Sequence, residues 1–236
     1  MRDRWCIVCL PRSGSTWLEV MLYRQIKSCR LSEYFVYGIY NNPLDKMDFK
    51  LNDNNFIEIV DKTNTTLSQD EFYQHRLKIL LQADRDQSVT MRMMIAWDSY
   101  DYINYLKYLT NLNFKIVILT RNIFDILISQ FVSMTLMHPH TFDVKDYETT
   151  KLKLLKIDTT EFVILLNHMK RQEKIQETAA LQFKLPTIRY ETLIEDCITN
   201  NIPIDPEVNV FKTYNELYSD YVENYSELLK IYDNYK

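Results

Sequence analysis

The run Pro11-Arg12-Ser13-Gly14-Ser15-Thr16-Trp17 sits between a short apolar segment and one of helical spacing. That layout is an anion cradle. Free backbone N–H groups at the start of a helix, helped by the helix dipole, favour a phosphate at that point. Gly14 lets the backbone turn tightly and come close to the anion. The Ser15 and Thr16 hydroxyls add donors, and Arg12 adds a cation with a planar fork of N–H groups. The triphosphatase pattern GxxxxGK[ST] is not met, because no lysine follows Gly14 and no magnesium-holding hydroxyl follows such a lysine. The loop therefore predicts phosphate binding without ATP hydrolysis. Trp17 lies one step off the apolar stripe of its own helix, and its ring suits either stacking on a base or packing in the core.

A second constellation follows Thr120-Arg121, at the end of the most apolar strand candidate. The next helix is apolar almost all round, through Ile123, Phe124, Ile126, Leu127, Ile128, Phe131 and Val132. Yet Asn122, Asp125, Ser129 and Ser133 form a narrow polar row along it. Burying such a row unpartnered costs about 1–3 kcal/mol per group, so something must satisfy it or it must face solvent. Arg121 and Ser129 could jointly hold a second phosphate, or the row faces solvent at a sheet edge; periodicity leaves both readings open.

The elements that carry these residues alternate. Trp5 to Leu10 reads as a buried strand, and Ser15 to Cys29 as a helix with Leu18, Met21, Leu22, Ile26 and Cys29 on one face. Ser32 to Asn64 has no sustained period and reads as irregular. Ser68 to Glu71 is a capping box for a helix to about Ala83. Val89 to Met94 and Phe114 to Thr120 are strands, and Asp98 caps a helix through Leu109. A helix from Asn122 to about Leu136 precedes a polar stretch, His138 to Lys156. Asp158 to Glu161 caps a helix to about Phe183; a short strand at Pro186 to Tyr190 and a short helix at Glu191 to Cys197 come next. In the tail, Tyr214, Tyr218, Tyr221, Tyr225, Leu229 and Tyr232 share a helical stripe that predicts a docking helix over about 214–234. Apolar strands alternating with helices predict an α/β fold: a single domain over 1–236, with a central parallel sheet flanked by helices. Ligands in such sheets bind beyond the carboxyl ends of the strands, where both constellations fall.

Composition narrows the function class. Lys and Arg number 28 against 32 Asp and Glu, a net charge of −4, and without a basic run the chain lacks a footprint for duplex nucleic acid. The apolar run Ile7 to Leu10 is too short for a signal-peptide core or a membrane span, which predicts a cytoplasmic protein with no integral membrane segment. Cys6 and Cys9 have CxxC spacing, but on a strand they point to opposite faces. Without a second close pair they read as buried free thiols rather than a zinc site. His138 and His140 lack the carboxylates a metal site needs, and no metal is expected. Glycine occurs only twice, where average usage of ~7% would give about sixteen, which draws attention to Gly14. If its role is close approach to a phosphate, Gly14→Ala should damage cofactor binding more than folding.

Together the two constellations resemble the sulfotransferase family that uses 3′-phosphoadenosine 5′-phosphosulfate (PAPS), closest to its small bacterial trehalose-type and phage-like members. Pro11 to Trp17 is similar to the family's 5′-phosphosulfate loop PxSGTTW. Arg121 and Ser129 match its 3′-phosphate motif, an arginine at a strand end with a serine eight residues on. Ile188-Arg189-Tyr190-Glu191-Thr192-Leu193 looks like its YExL element after a late strand. The resemblance spans residues 5 to about 197 and implies a P-loop-like fold. It also implies that Arg12 contacts the transferred sulfuryl group and that Ser13, Gly14, Ser15 and Thr16 cradle the 5′-phosphosulfate. Trp17 would stack on adenine, Arg121 and Ser129 would bind the 3′-phosphate, and Tyr190 would complete the cofactor site.

The chain departs from the cytosolic branch in two places. No histidine lies in Val89 to Trp97, where that branch carries its base; Arg92 stands on this strand. The branch's C-terminal Arg-Lys-Gly contact is also missing. Ser32-Glu33-Tyr34-Phe35 instead resembles the Glu-Phe-Phe stretch of the trehalose-type enzymes, which makes Glu33 the catalytic-base candidate; as a residue it also reads as a solvated loop glutamate. The implied reaction moves a sulfuryl group to a hydroxyl acceptor, a sugar, glycolipid or other small molecule, and releases 3′,5′-adenosine bisphosphate. The segments Ser32 to Asn64 and His138 to Lys156 would shape the acceptor pocket. A nucleotide or nucleoside kinase, or a silent nucleotide-binding protein of the same fold, are the competing readings.

Overall fold

A computed structural model describes residues 3–26, 29–30, 48–51, 57–60, 88–95, 102–135, 155–199 and 218–235. Strand β1 (Arg4–Cys9) opens the chain, and helix α1 (Ser15–Ile26) follows the Pro11–Gly14 turn. Next come β2 (Cys29–Arg30), β3 (Asp48–Leu51), β4 (Ile57–Val60), β5 (Val89–Met94), α2 (Tyr102–Asn111), β6 (Lys115–Thr120) and α3 (Ile123–Thr135). The remaining described elements are α4 (Thr159–Phe183), β7 (Thr187–Arg189), α5 (Tyr190–Thr199), α6 (Tyr218–Tyr221) and α7 (Tyr225–Asn234).

Five strands form one sheet in the order β2-β5-β1-β6-β7, and β1 pairs parallel with both β5 and β6. The register sets Ile7 opposite Arg92 on one side and Val117 on the other. Cys9 lies opposite Met94 and Leu119, so the carboxyl ends of the three strands share one edge. A strand paired on both sides and covered on both faces must be apolar throughout. Cys6, Ile7, Val8 and Cys9 meet that demand, all fully buried, with Cys6 and Cys9 as free thiols. Burial first, then the neighbouring Cys9 and Glu19, push the Cys6 thiol well above its usual range, which keeps it protonated and inert. β5 breaks the apolar rule on one face. Thr90 and Arg92, two residues apart and therefore on the same side, are buried polar groups, while Val89, Met91 and Met93 are buried on the other.

The chain separates into two compact units. The first holds Met1–Pro11, Ser15–Leu119 and Ala179–Thr187; the second holds Arg12–Gly14, Thr120–Thr178 and Ile188–Lys236. In the second, Phe124 of α3 packs edge-on to Phe162 of α4 and to Tyr225, and Phe131 stacks on Phe162. The buried Ile126, Leu127 and Ile128 make α3 apolar on nearly every side, as a core helix should be. Asp158 caps α4 as expected, its Oδ1 accepting the Glu161 N–H at 2.8 Å.

Several expectations change. The first helix stops at Ile26, and Cys29 enters a strand that pairs with Val89. Within the stretch read as irregular, β3 and β4 form an antiparallel pair, Asp48 opposite Val60 and Leu51 opposite Ile57. Its alternation, Phe49 and Leu51 against Ile57 and Ile59, is short and flanked by polar residues, so no long period marks it. The aromatic tail is two pieces. The helix breaks after Tyr221 and restarts at Tyr225, which turns Leu228 inward and leaves Leu229 37% exposed. The break has a cause: Asn224 bonds Ile157 reciprocally, accepting its N–H at 3.1 Å and donating to its carbonyl at 2.9 Å. Glu223 N–H adds a bond to Leu155 O at 2.9 Å. These strand-like bonds draw residues 222–224 out of helix. Among the described residues no helix is long and apolar enough to cross a membrane. The expected helix at Ser68 to Ala83, and His138 and His140, lie outside the described residues.

Candidate functional site

In the second unit, the turn Arg12–Gly14 is wound through left-handed backbone twice, at Arg12 (φ 61°) and Gly14 (φ 83°). An arginine held there costs on the order of 1–3 kcal/mol, and such strain clusters at ligand sites. Ser13, between them, is fully buried, and its Oγ has no hydrogen-bond partner among the described residues. An orphaned donor in a wound loop is what a bound oxyanion would satisfy.

Side chains from distant parts of the chain close on this turn. Arg12 Nε donates to Ser129 Oγ at 3.3 Å, and Arg121 Nη1 donates to the Arg12 carbonyl at 2.8 Å. The Arg121 guanidinium lies 4.7 Å from the centre of the Tyr190 ring, a cation–π contact. That ring in turn packs directly against the Cα of Gly14: a Cβ there would collide with Tyr190 Cε2 and Cδ2 and stand 3.2 Å from Cζ. Tyr190 is buried and cannot step aside cheaply. The glycine is thus required by its φ, in line with the tight turn read from the sequence, and also by the Tyr190 ring, so that Gly14→Ala strains the fold itself.

The polar row on α3 divides by function. Asn122 caps the helix, its Oδ1 accepting the Phe124 N–H at 2.9 Å, while its own N–H donates to Glu191 Oε1 at 2.9 Å. Asp125 is half-buried; burial pushes its carboxyl up, Arg121 opposes the shift and Glu191 adds to it. Ser129 is 7% exposed and joins Arg12 to the hydroxyl of Tyr218, with which it shares a hydrogen bond. Burial raises the Tyr218 phenol above its ordinary value, against the pull of Arg121, Ser129 and Arg12. Tyr218 comes from α6 and was expected only to dock the tail.

The first unit holds its own polar cluster at the start of α1. Arg92 Nη1 donates to Thr16 Oγ1 at 2.6 Å and to Ser15 Oγ at 3.4 Å. Arg92 Nε pairs with Glu19 Oε2 at 2.8 Å, with the two side chains 6% and 0% exposed. Ser15, Thr16 and Glu19 fall on one helix face because they are three and four residues apart. Trp17 is 2% exposed, so its ring packs in the core; the burial favours that alternative over an open stacking face.

The structure brings together Arg12, Ser13, Gly14, Arg121, Ser129 and Tyr190 in one unit, and Ser15, Thr16 and Trp17 in the other. Glu33 lies outside the described residues. Sequence reasoning missed Glu19, Tyr218 and the partners of Arg92. The signals available were a lone carboxylate in the apolar stretch Trp17 to Leu22 and the Thr90-x-Arg92 alternation in an otherwise apolar strand.

The central strand β1 of a parallel α/β sheet runs into the wound turn at Arg12–Gly14. Residues 6–200 match the sulfotransferase family, and the chain belongs to that family, whose reaction class is sulfuryl transfer. No curated protein and no solved structure matches the chain.

Proposed function

We propose that this protein is a PAPS-dependent transferase that moves a sulfuryl group to the hydroxyl of a sugar or glycolipid. The observation that carries the reading is the turn Arg12–Gly14. It has two left-handed residues, a buried Ser13 hydroxyl with no partner among the described residues, and the cations Arg12 and Arg121 joined to it. Those donors and charges fit a phosphosulfate.

Arg12, Ser13, Gly14, Ser15 and Thr16 would hold the 5′-phosphosulfate, and Arg121 with Ser129 the 3′-phosphate. Tyr190 packs against Gly14 and Arg121 of this set. When bound, PAPS supplies the sulfuryl group and departs as 3′,5′-adenosine bisphosphate. Glu33 takes the proton from the acceptor hydroxyl. Arg12 and the loop N–H groups stabilise negative charge on the sulfuryl oxygens, the preorganised electrostatic effect that dominates many group transfers. The cytoplasm is the compartment proposed for this reaction.

Incubation of the protein with radiolabelled PAPS and a panel of sugars and glycolipids tests the activity. Label on a carbohydrate product supports the reading. Tight nucleotide binding with no transfer to any acceptor would favour a silent binding protein of the same fold.

A further inference from the structure

We infer that Arg92 is a positioning residue that orients the Ser15 and Thr16 hydroxyls as donors to the 5′-phosphosulfate. The inference rests on the phosphate-binding reading of their loop. A guanidinium has N–H donors and no acceptor. When Arg92 Nη1 lies 2.6 Å from Thr16 Oγ1 and 3.4 Å from Ser15 Oγ, both oxygens must accept from it. A hydroxyl that accepts from a fixed cation keeps its own proton for another acceptor, and the cation makes that proton a stronger donor. Both hydroxyls stand on the first two residues of α1, whose backbone N–H groups and dipole already favour an anion.

Glu19 makes the arrangement sustainable. It sits one turn further along α1, fully buried, and holds Arg92 Nε at 2.8 Å. A buried guanidinium without a counter-charge would be costly, and one that swung freely would orient nothing. With its charge balanced by the Glu19 ion pair, the rigid fork keeps Nη1 at the hydroxyls. Strand β5 supplies the rigid base, since Arg92 is paired to the central strand at Ile7. Lysine could not do this work. Its ammonium is a point donor on a flexible stem, unable to pair with Glu19 and hold both hydroxyls from one fixed fork.

The test is a double-mutant cycle between Arg92→Lys and Thr16→Val, read as affinity for adenosine 3′,5′-bisphosphate and for adenosine 3′-monophosphate, which lacks the 5′-phosphate. The ratio of the two affinities isolates the 5′-phosphate contribution. Each single variant should lower that ratio about tenfold, and the double variant should lose little more than either. An Arg92→Lys variant that weakens both ligands equally, or penalties that multiply to about a hundredfold in the double variant, would overturn the inference. If Arg92→Lys does not fold, the apolar pair Arg92→Met with Glu19→Leu replaces it in the cycle, because swapping both members strands no buried charge. Failure of both to fold would assign the pair to stability alone and overturn the inference. A wild-type protein that binds neither nucleotide would instead overturn the phosphate-loop reading beneath it.

Discussion

Arg12 donates from Nε to Ser129 Oγ at 3.3 Å, bridging 117 residues of sequence. The pair ties the Arg12–Gly14 turn to the polar row of α3, and Tyr218 joins Ser129 from the tail. Ser129→Ala removes the acceptor and leaves Arg12 to find another. Affinity for adenosine bisphosphate should fall about tenfold or more, at a stability cost near 1 kcal/mol. Calorimetric titration beside a denaturant melt checks both numbers; unchanged affinity would separate Ser129 from the site.

Gly14→Ala should unfold the protein more readily. The left-handed φ of 83° alone costs a non-glycine residue about 1–2 kcal/mol. The collision with the Tyr190 ring adds to this. Urea denaturation of the variant should show a loss of at least about 2 kcal/mol. A variant as stable as the wild type would mean that the turn is not wound as described.

Asp125 gives a pH signature. Its carboxyl is raised by burial, so the folded state holds the proton more tightly than the unfolded chain does. Its contribution to stability is present in full below the unfolded value near pH 4, and is lost as pH rises through the folded value. Asp125→Asn mimics the protonated form and should keep that contribution at pH 7. Thermal melts should show a gain of up to about 2 °C at pH 7, because the half-exposed group is screened, and no gain below about pH 4. A gain that persists in acid would contradict the assignment.

Glu33→Gln should leave nucleotide binding intact and lower turnover by ~10²–10⁴-fold, the range expected for loss of a general base. Steady-state transfer rates, measured with nucleotide affinity in parallel, decide this. Near-wild-type turnover would remove Glu33 from the role.

The legible parts of the sequence were those governed by local rules. The apolar strands at Trp5 to Leu10 and Phe114 to Thr120, the Asp158 cap and the Pro11–Gly14 turn before α1 all announce themselves through neighbours in sequence. What escaped was set by partners far along the chain. Glu19 looks like an ordinary helical glutamate until Arg92, on a strand beyond a long intervening segment, reaches it. Tyr218 looks like one step of an aromatic stripe until the Asn224–Ile157 bonds break that stripe and Ser129 meets its hydroxyl. Gly14 stands out in the sequence by its rarity and its turn, but the ring of Tyr190 that forbids a side chain there carries no local mark.

The central claim is that the turn and its arginines hold a 3′-phosphoadenosine nucleotide. Calorimetric titration of the wild-type protein with 3′,5′-adenosine bisphosphate, without magnesium, tests it most directly. Micromolar binding, lost in Arg121→Ala and weakened in Ser129→Ala, is the predicted result. No measurable heat with the bisphosphate, or binding of ATP that requires magnesium, would contradict the account.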